Sequence, residues 1–305
     1  MSKRIGAEII SSPAGAWQMA STRRVSDYFE LTKPRITTLV LITTTVGFYL
    51  GSSDPVNVWR LIHTLIGTAL AAGGSSTLNQ FLERAPDKLM RRTENRPLPA
   101  QRLAPASALG FGLLLSVVGV CYLAVWVGLL SGLLALAVLA SYLFLYTPLK
   151  QTTSLCTVIG AVPGAVPPVI GWTGAGHGLD LGAGALFLIL FLWQFPHFLA
   201  IAWMYRDDYE RAGFRMLPLL DRQGFITGQQ ILIYVIALIP VSLIPSLLGI
   251  TGLAYVFAAL ILGFLFLYYG FRVAHSRTAA DARRLLKASV LYLPLLLLVM
   301  VLDKL

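Results

Sequence analysis

Three oxygen-bearing side chains, Asn79, Glu83 and Asp87, follow one another at intervals of four residues. On a helix this spacing places them on one face, about 6 Å apart per step. Amide and carboxylate oxygens suit Mg²⁺, which proteins hold through a few carboxylates together with the phosphates of a substrate. The sequence therefore predicts a metal and phosphate site here. Because Pro86 precedes Asp87, we expect the helix to kink or end there.

A basic segment follows these oxygen ligands directly along the chain. Guanidinium groups pair with phosphate oxygens in a bidentate manner, so arginines beside a metal site suit a phosphorylated substrate. The predicted substrate-binding residues of this segment are Arg91, Arg92, Asn95 and Arg96.

A second acidic segment contains Asp207 and Asp208, which are flanked by Arg206 and Arg211. We interpret the two aspartates as ligands of a second Mg²⁺ and the two arginines as substrate-binding residues. The alternative is that these residues form a solvated helix end.

Gln194 and His197 lie within a long apolar run, with Pro196 between them. A proline inside a helix frees a backbone carbonyl and kinks the helix. A lone histidine in a helix is often a packing residue. Polar and ionisable residues inside a membrane are costly and usually functional, so we predict a catalytic role for His197 and substrate binding by Gln194.

Tyr146 and Lys150 close another apolar run. Lys150 can neutralise phosphate, and the Tyr146 ring can face a cation. The alternative is an interfacial tyrosine beside a lysine whose side chain extends to the water layer.

The composition indicates which elements must position these residues. Of the 305 residues, 56% are hydrophobic and 12% are charged, whereas a soluble domain has about 25% charged residues. The apolar runs are long and continuous, which favours membrane-spanning helices over a β-barrel of short alternating strands. We therefore predict an all-α polytopic membrane protein. Its nine predicted spans are residues 36–52, 60–80, 105–127, 129–147, 153–172, 183–204, 228–248, 250–271 and 287–303.

The basic residues predict the orientation of these spans. With a cytoplasmic N-terminus, all but two of the 24 Lys and Arg residues, Arg60 and Lys304, fall on the cytoplasmic side. This distribution is the one that orients membrane proteins, so the net charge of +10 does not indicate nucleic-acid binding.

The N-terminal tail predicts the membrane in which the chain lies. Residues 1–26 contain no long apolar run, so we predict no cleavable signal peptide. Their Arg and Ser content is offset by Glu8, which favours the bacterial inner (plasma) membrane over the mitochondrial inner membrane. We expect residues 1–30 to form a cytoplasmic tail and residues 31–305 to form a single transmembrane domain.

Several motifs in this order carry a resemblance to a known family. Besides the Asn79, Glu83 and Asp87 spacing, they are Leu-Thr-Lys-Pro-Arg at 31–35, Arg-Thr-Glu-Asn-Arg-Pro-Leu at 92–98, Tyr-Thr-Pro-Leu-Lys at 146–150, Gly-Ala-Val-Pro-Gly-Ala-Val-Pro-Pro at 160–168, Trp-Gln-Phe-Pro-His at 193–197, Arg-Asp-Asp-Tyr at 206–209 and Met-Leu-Pro at 216–218. The chain resembles the UbiA superfamily of intramembrane prenyltransferases, and within it the heme-modifying branch that makes heme O.

The resemblance implies a nine-helix bundle with a central cavity and two acidic motifs that hold diphosphate through Mg²⁺. It also implies that Arg35 binds substrate. The middle residue of the first motif is usually Asp, and Glu83 replaces it here. The second motif usually has two aspartates four residues apart, whereas this chain has the adjacent Asp207 and Asp208.

The implied reaction transfers farnesyl from farnesyl diphosphate to a vinyl group of heme B, with addition of water. Heme B is then a substrate rather than a cofactor. For His197 the sequence leaves three roles open, namely orienting water, contacting a heme propionate and ligating iron. The implied partners are the lipid bilayer and a heme A-forming enzyme or terminal oxidase that receives the product.

Three other functions compete with this interpretation. A prenyltransferase of the same fold would act on an aromatic acceptor such as 4-hydroxybenzoate, but the motifs at 92–98 and 193–197 argue against it. A transporter would place functional polar residues near the bilayer midplane or on both sides, whereas here they gather at one end of the spans. A non-catalytic heme-binding scaffold leaves both acidic clusters without a role.

Overall fold

The computed structural model describes residues 24–53 and 55–305. The predictions for tail residues 1–23 lie outside these ranges. Within them the chain folds into helices, and its β-structure is one isolated bridge between Thr251 and Lys304. This fold confirms the prediction of an all-α protein.

Nine long helices make up most of the described chain. They are α1 (Pro34–Gly51), α2 (Val58–Leu82), α3 (Pro105–Trp126), α4 (Leu129–Leu149), α5 (Cys156–Gly174), α6 (Leu181–Met204), α7 (Phe225–Leu247), α8 (Leu253–Ser276) and α9 (Ala279–Leu302). A short helix over residues 24–31 precedes α1. Three more lie between the long helices, at Arg84–Lys88, Arg206–Arg211 and Leu217–Leu220.

Seven of the nine helices, α3 to α9, are long and apolar enough to span a membrane. The prediction of nine spans therefore exceeds the number that length and composition support in the described chain. The difference lies in α1 and α2, which are long but not apolar enough over their length. Helix α1 contains five threonines, and α2 contains Arg60, His63, Asn79 and Gln80.

The predicted and observed helix ends differ most at the turn between α8 and α9. The predicted spans end at residue 271 and resume at residue 287, which leaves the charged residues 272–286 between them. In the structure the turn occupies only Arg277 and Thr278. Arg277 adopts a left-handed conformation, and the Thr278 side chain accepts a hydrogen bond from the Asp281 amide. The charged residues therefore lie on helical ends, which extend beyond the apolar part of each span.

Close packing of small residues joins the helices around α5. A Cβ atom on Gly47 of α1 would overlap the carbonyl oxygen of Pro168. Helix α5 is interrupted at Val166, between two segments that each contain or begin with proline. Helix α5 is therefore a broken span, and its small residues let helix backbones approach closely.

Helices α2, α4, α6 and α8 all end at the same end of the bundle, because consecutive spans alternate in direction. We call this the site end, since Asn79 and Tyr146 lie there. The largest buried cluster lies among α1 and α5 to α9 and includes Ile189, Tyr255 and Leu296.

Candidate active site

The predicted break in the helix beside Pro86 is present, and it lies at Glu83. Helix α2 ends at Leu82, and a new short helix begins at Arg84, so that Pro86 falls in its first turn. The helical hydrogen bonds continue across the break. The Glu83 amide donates to the Asn79 carbonyl at 2.9 Å, and the Asp87 amide donates to the Glu83 carbonyl at 2.8 Å. The three oxygen ligands therefore stay in register despite the proline.

Each of the first two oxygen ligands is buried against a lysine. Asn79 is 1% exposed, and its Oδ1 accepts a hydrogen bond from Lys33 Nζ at 2.9 Å. Its Nδ2 donates to the Thr147 hydroxyl at 3.2 Å. Glu83 is 6% exposed and forms an ion pair with Lys150, whose Nζ lies 2.6 Å from Oε1. Residues from α2 and from the ends of α1 and α4 therefore meet at one place.

The third predicted ligand, Asp87, is 1% exposed, and its two carboxylate oxygens differ in whether they have a hydrogen-bond partner. Oδ2 lies 2.6 Å from an Arg96 guanidinium nitrogen. Oδ1 is buried without a hydrogen-bond partner among the described residues. A buried oxygen without a partner is costly and needs an explanation, such as an ion. Burial raises the pKa of Asp87, and the Arg96 charge opposes this shift.

Two lysines at this cluster differ in how well their charge is stabilised. Burial, reinforced by the Arg96 charge, lowers the pKa of Lys33 to about 7. Burial also acts against the Lys150 charge, but Tyr146 and Glu83 together hold the pKa of Lys150 above its usual value. Lys33 is therefore the more weakly charged of the two.

The predicted partnership of Tyr146 with a cation is present, and the cation is Lys150. Its Nζ lies 4.4 Å from the centre of the Tyr146 ring and 5.7 Å from that of Phe214. The Lys150 carbonyl accepts a 2.7 Å hydrogen bond from the Arg215 amide. Lys150 is buried, and its side chain does not extend to the water layer. This position argues against the alternative of a purely interfacial tyrosine and lysine.

The second acidic segment is more exposed than the first at Asp207, whereas the side chain of Asp208 is only 13% exposed. Asp207 is exposed, and Asp208 pairs with Arg211 within the same short helix. Arg206 places its guanidinium 5.4 Å from the Trp203 ring centre. Within the described residues no group of three or more His, Cys, Asp or Glu side chains is arranged to hold a metal. The oxygen ligands of the first cluster are two carboxylates and one amide.

Two arginines connect the segments that carry the acidic residues. Arg92 donates to the Tyr209 hydroxyl at 3.1 Å and lies 5.1 Å from the Tyr205 ring centre. In the opposite direction, Arg211 donates to the Leu89 carbonyl at 3.3 Å. The chain after α2 and the chain after α6 therefore pack together at the site end.

Gln194 and His197 make their contacts within the helix bundle. Gln194 is buried and donates to the Ala161 carbonyl of α5 at 3.1 Å. His197 shares a 2.8 Å hydrogen bond with Ser289 of α9 and stacks on Trp193. Neither residue contacts the Asn79, Glu83 and Asp87 group within the described chain.

Three predicted substrate-binding residues, Arg35, Arg91 and Asn95, lie on the exposed surface of the described chain. Sequence reasoning missed Lys33, which contacts Asn79 directly. Lys33 belongs to the motif at 31–35, so its position before the first helix was a usable signal. The sequence does not show which of the two cations, Lys33 or Arg35, contacts Asn79, and the structure shows that it is Lys33.

Comparison with known proteins gives a consistent result over nearly the whole chain. The sequence profile of the UbiA prenyltransferase family matches residues 40–293. A protoheme IX farnesyltransferase of Solibacter usitatus is 52% identical over 287 residues, covering 91% of this chain and 98% of the relative. A protein of the same name from Koribacter versatilis is 45% identical over 292 residues, covering 91% and 93%.

Solved structures with the same fold are more distant in sequence. A digeranylgeranylglyceryl phosphate synthase superposes with a TM-score of 0.75 at 16% identity, covering 92% of this chain and 98% of that one. A UbiA homolog from Archaeoglobus fulgidus, bound to GPP and Mg²⁺, superposes with a TM-score of 0.59 at 17% identity, covering 90% and 99%. These two comparisons concern the fold.

Proposed function

Because this chain belongs to the UbiA prenyltransferase family, we propose that it transfers the farnesyl group of farnesyl diphosphate to a vinyl group of heme B. Water is added, and the products are heme O and diphosphate. The observation that carries the proposal is the buried row of Asn79, Glu83 and Asp87 at the site end, with one Asp87 oxygen unpartnered. The similarity to proteins named protoheme IX farnesyltransferase supports heme B as the acceptor.

The donor groups of the first cluster fit Mg²⁺. They are hard oxygen ligands, and Asp87 Oδ1 is buried without a partner in the described chain. Asn79, Glu83 and Asp87 would hold one ion, and Asp207 and Asp208 are the candidates for a second. When bound, Mg²⁺ supplies positive charge that stabilises the departing diphosphate.

The basic residues around the cluster bind the diphosphate of the substrate. Lys150 and Arg96 already lie beside Glu83 and Asp87, so their charges are positioned before the substrate arrives. Arg92 extends this positive surface towards the second acidic segment. Groups held in place in advance lose little free energy in reorganising as charge develops on the leaving group.

The chemistry of the substrates determines the remaining steps. The bond between farnesyl C1 and oxygen breaks, its electron pair leaves with diphosphate, and an allylic cation remains. The terminal vinyl carbon of heme B forms the new carbon–carbon bond to C1. Water then captures the cation beside the pyrrole ring and releases a proton to solvent, which gives a hydroxyethylfarnesyl group. A strong general base is not required, which agrees with a site built mainly from cations and metal ligands.

His197 and Gln194 belong to the proposed acceptor side of the site. Ser289 and Trp193 hold the His197 ring in one orientation, so it can position water, a propionate or the heme iron. Gln194 fixes α6 against the interrupted helix α5. The predicted substrate contacts of Arg35, Arg91, Asn95, Arg206 and Arg211 belong to the same proposal.

The protein crosses the membrane several times. In the proposed orientation the N-terminus and the site end face the cytoplasm of a bacterial cell, because the basic residues gather there. Bacterial relatives support the plasma membrane as the location. Transfer of heme O to a heme A-forming enzyme or terminal oxidase completes the proposal.

A product assay tests the proposed reaction. Purified protein in liposomes receives farnesyl diphosphate, Mg²⁺ and an equimolar mixture of heme B and 4-hydroxybenzoate, and extracted products are analysed by chromatography with mass detection. We expect a heme heavier by one farnesyl group plus water, and its loss with EDTA. Prenylation of the aromatic acid alone would leave the family assignment intact and refute heme B as the acceptor. Absence of any prenylated product from folded protein would refute the reaction itself.

A further inference from the structure

An apolar groove of about 480 Å³ lies between α8 and α9, away from the acidic clusters. Its floor includes the buried rings of Phe266 and Tyr292, which stack with centroids 5.0 Å apart. Its walls include the exposed side chains of Leu265, Leu291 and Leu295. In a membrane such exposed leucines contact lipid, so the groove opens towards the acyl chains of the bilayer.

Three cations, Arg272, Arg284 and Lys287, close the groove at its site end. The Asp281 carboxylate lies 3.0 Å from Arg272 and 2.7 Å from Arg284. Asp281 also accepts a 2.6 Å hydrogen bond from Ser276, which fixes its orientation. Two guanidiniums therefore share one carboxylate, and Lys287 adds a further positive charge. This end of the groove is preorganised and retains an excess of positive charge.

We propose that this groove binds one anionic phospholipid. Its acyl chain lies along the leucine walls, and its phosphate contacts Arg284 and Lys287. Apolar walls alone would accept any lipid chain, so the selectivity comes from the cations at headgroup level. Basic pockets between transmembrane helices on the cytoplasmic side are suited to anionic headgroups, and guanidinium pairs strongly with phosphate. A zwitterionic headgroup contains its own cation, which competes with these side chains.

A heme molecule, whose propionates are also anionic, is the main competing occupant. The position of the groove favours the lipid. Within the described residues none of its lining side chains is hydrogen-bonded or ion-paired to Asn79, Glu83 or Asp87, the residues proposed to hold the metal. The face of α9 that carries Ser289 is directed instead towards His197 of α6.

Native mass spectrometry with matched lipids tests this proposal. The protein is titrated with phosphatidylglycerol and, separately, with phosphatidylcholine of the same acyl chains. We expect one tightly bound phosphatidylglycerol. Each cation near a membrane surface contributes about 1 kcal/mol, so Lys287→Gln should weaken binding about fivefold, and Arg284→Gln/Lys287→Gln about thirtyfold.

Arg283→Gln is the matched control, because Arg283 is exposed on the same turn and does not line the groove. It should bind phosphatidylglycerol like the wild type. Equal binding of phosphatidylcholine, or an equal loss in Arg283→Gln and Lys287→Gln, would overturn the proposal. Displacement of the lipid by millimolar inorganic phosphate would show a simple phosphate site, and displacement by stoichiometric hemin would show an acceptor site. Either result would also overturn it.

Discussion

The two acidic segments at the site end differ in burial and in their partners. Glu83 and Asp87 are buried, and Glu83 pairs with Lys150, 67 positions away, while Asp87 pairs with Arg96, nine positions away. Asp207 is exposed, and Asp208 pairs with Arg211 one turn further along its own helix. Buried carboxylates need partners because desolvation is costly, whereas exposed ones are stabilised by water. The first segment is therefore a buried cluster built from several parts of the chain, whereas the ion pair of the second segment lies within one short helix.

This difference assigns unequal roles to the two segments. The first cluster holds its oxygen ligands and cations in place before the substrate binds, so losing one member should affect both folding and activity. The ion pair of the second segment lies within one short helix and does not join distant parts of the chain. Substitutions there should therefore affect activity alone, and to a smaller extent. Four predictions test this comparison.

Removal of the Lys150 charge should have the largest effect. Lys150→Met leaves Glu83 buried without its partner, and breaking such a pair destabilises proteins by about 3–5 kcal/mol. We expect a clearly lower unfolding temperature in detergent. The double variant Glu83→Gln/Lys150→Met should recover most of the stability but no activity. A double variant as unstable as the single one would show that the ion pair is not the cause.

Neutralisation of Asp87 should remove most of the activity. Asp87→Asn keeps the size of the side chain but loses a charged metal ligand, and a loss of about 10²- to 10³-fold in kcat/KM is expected, the range found on removal of one preorganised transition-state contact. Prenyl transfer is measured at saturating Mg²⁺. Glu94→Gln, an exposed acidic residue nearby, is the control and should retain activity. Near-normal turnover by Asp87→Asn would mean that the first cluster does not hold the metal.

The second acidic segment should tolerate substitution better. We expect Asp207→Asn and Asp208→Asn each to lower kcat/KM about tenfold, equivalent to about 1.4 kcal/mol, with no change in unfolding temperature. Glu210→Gln on the same short helix is the matched control. A loss as large as that of Asp87→Asn would make the two segments equivalent and contradict the comparison.

Arg92 connects the two segments, and its replacement should have the smallest effect. Arg92→Lys keeps the charge but loses the planar group that contacts Tyr205 and Tyr209. A weak hydrogen bond and a cation–π contact together contribute about 1 kcal/mol. The KM for farnesyl diphosphate should rise about fivefold with kcat little changed. A fall in kcat without a change in KM would place Arg92 at the reacting atoms instead.

The fold and the centre of the site were largely predictable from the sequence. Continuous apolar runs predicted the helices, and helical backbone hydrogen bonds link Asn79, Glu83 and Asp87 at the predicted intervals of four residues. Helix ends were less predictable, because charged residues such as Arg284 continue a helix beyond the apolar region.

The partners of the candidate site residues could not be predicted in the same way. Lys33 reaches Asn79 across 46 positions because its backbone turns through a left-handed conformation, with φ at 49°, between two helices. The pairing of Asp208 with Arg211 was equally hidden, since the same residues also fit a metal site. The contact of Lys33 with Asn79 depends on packing between helices, whereas the pair of Asp208 with Arg211 is local, three residues apart on one short helix.

A metal titration tests most directly whether Asp87 of the first cluster, rather than Asp207 and Asp208, is required to hold the metal. Mn²⁺, which prefers the same oxygen ligands as Mg²⁺, is titrated by electron paramagnetic resonance in the presence of an unreactive farnesyl diphosphate analogue. We expect tight binding by the wild type, binding weakened but present in Asp207→Asn/Asp208→Asn, and loss of binding in Asp87→Asn. Wild-type affinity in Asp87→Asn, with loss in the aspartate double variant, would contradict this expectation.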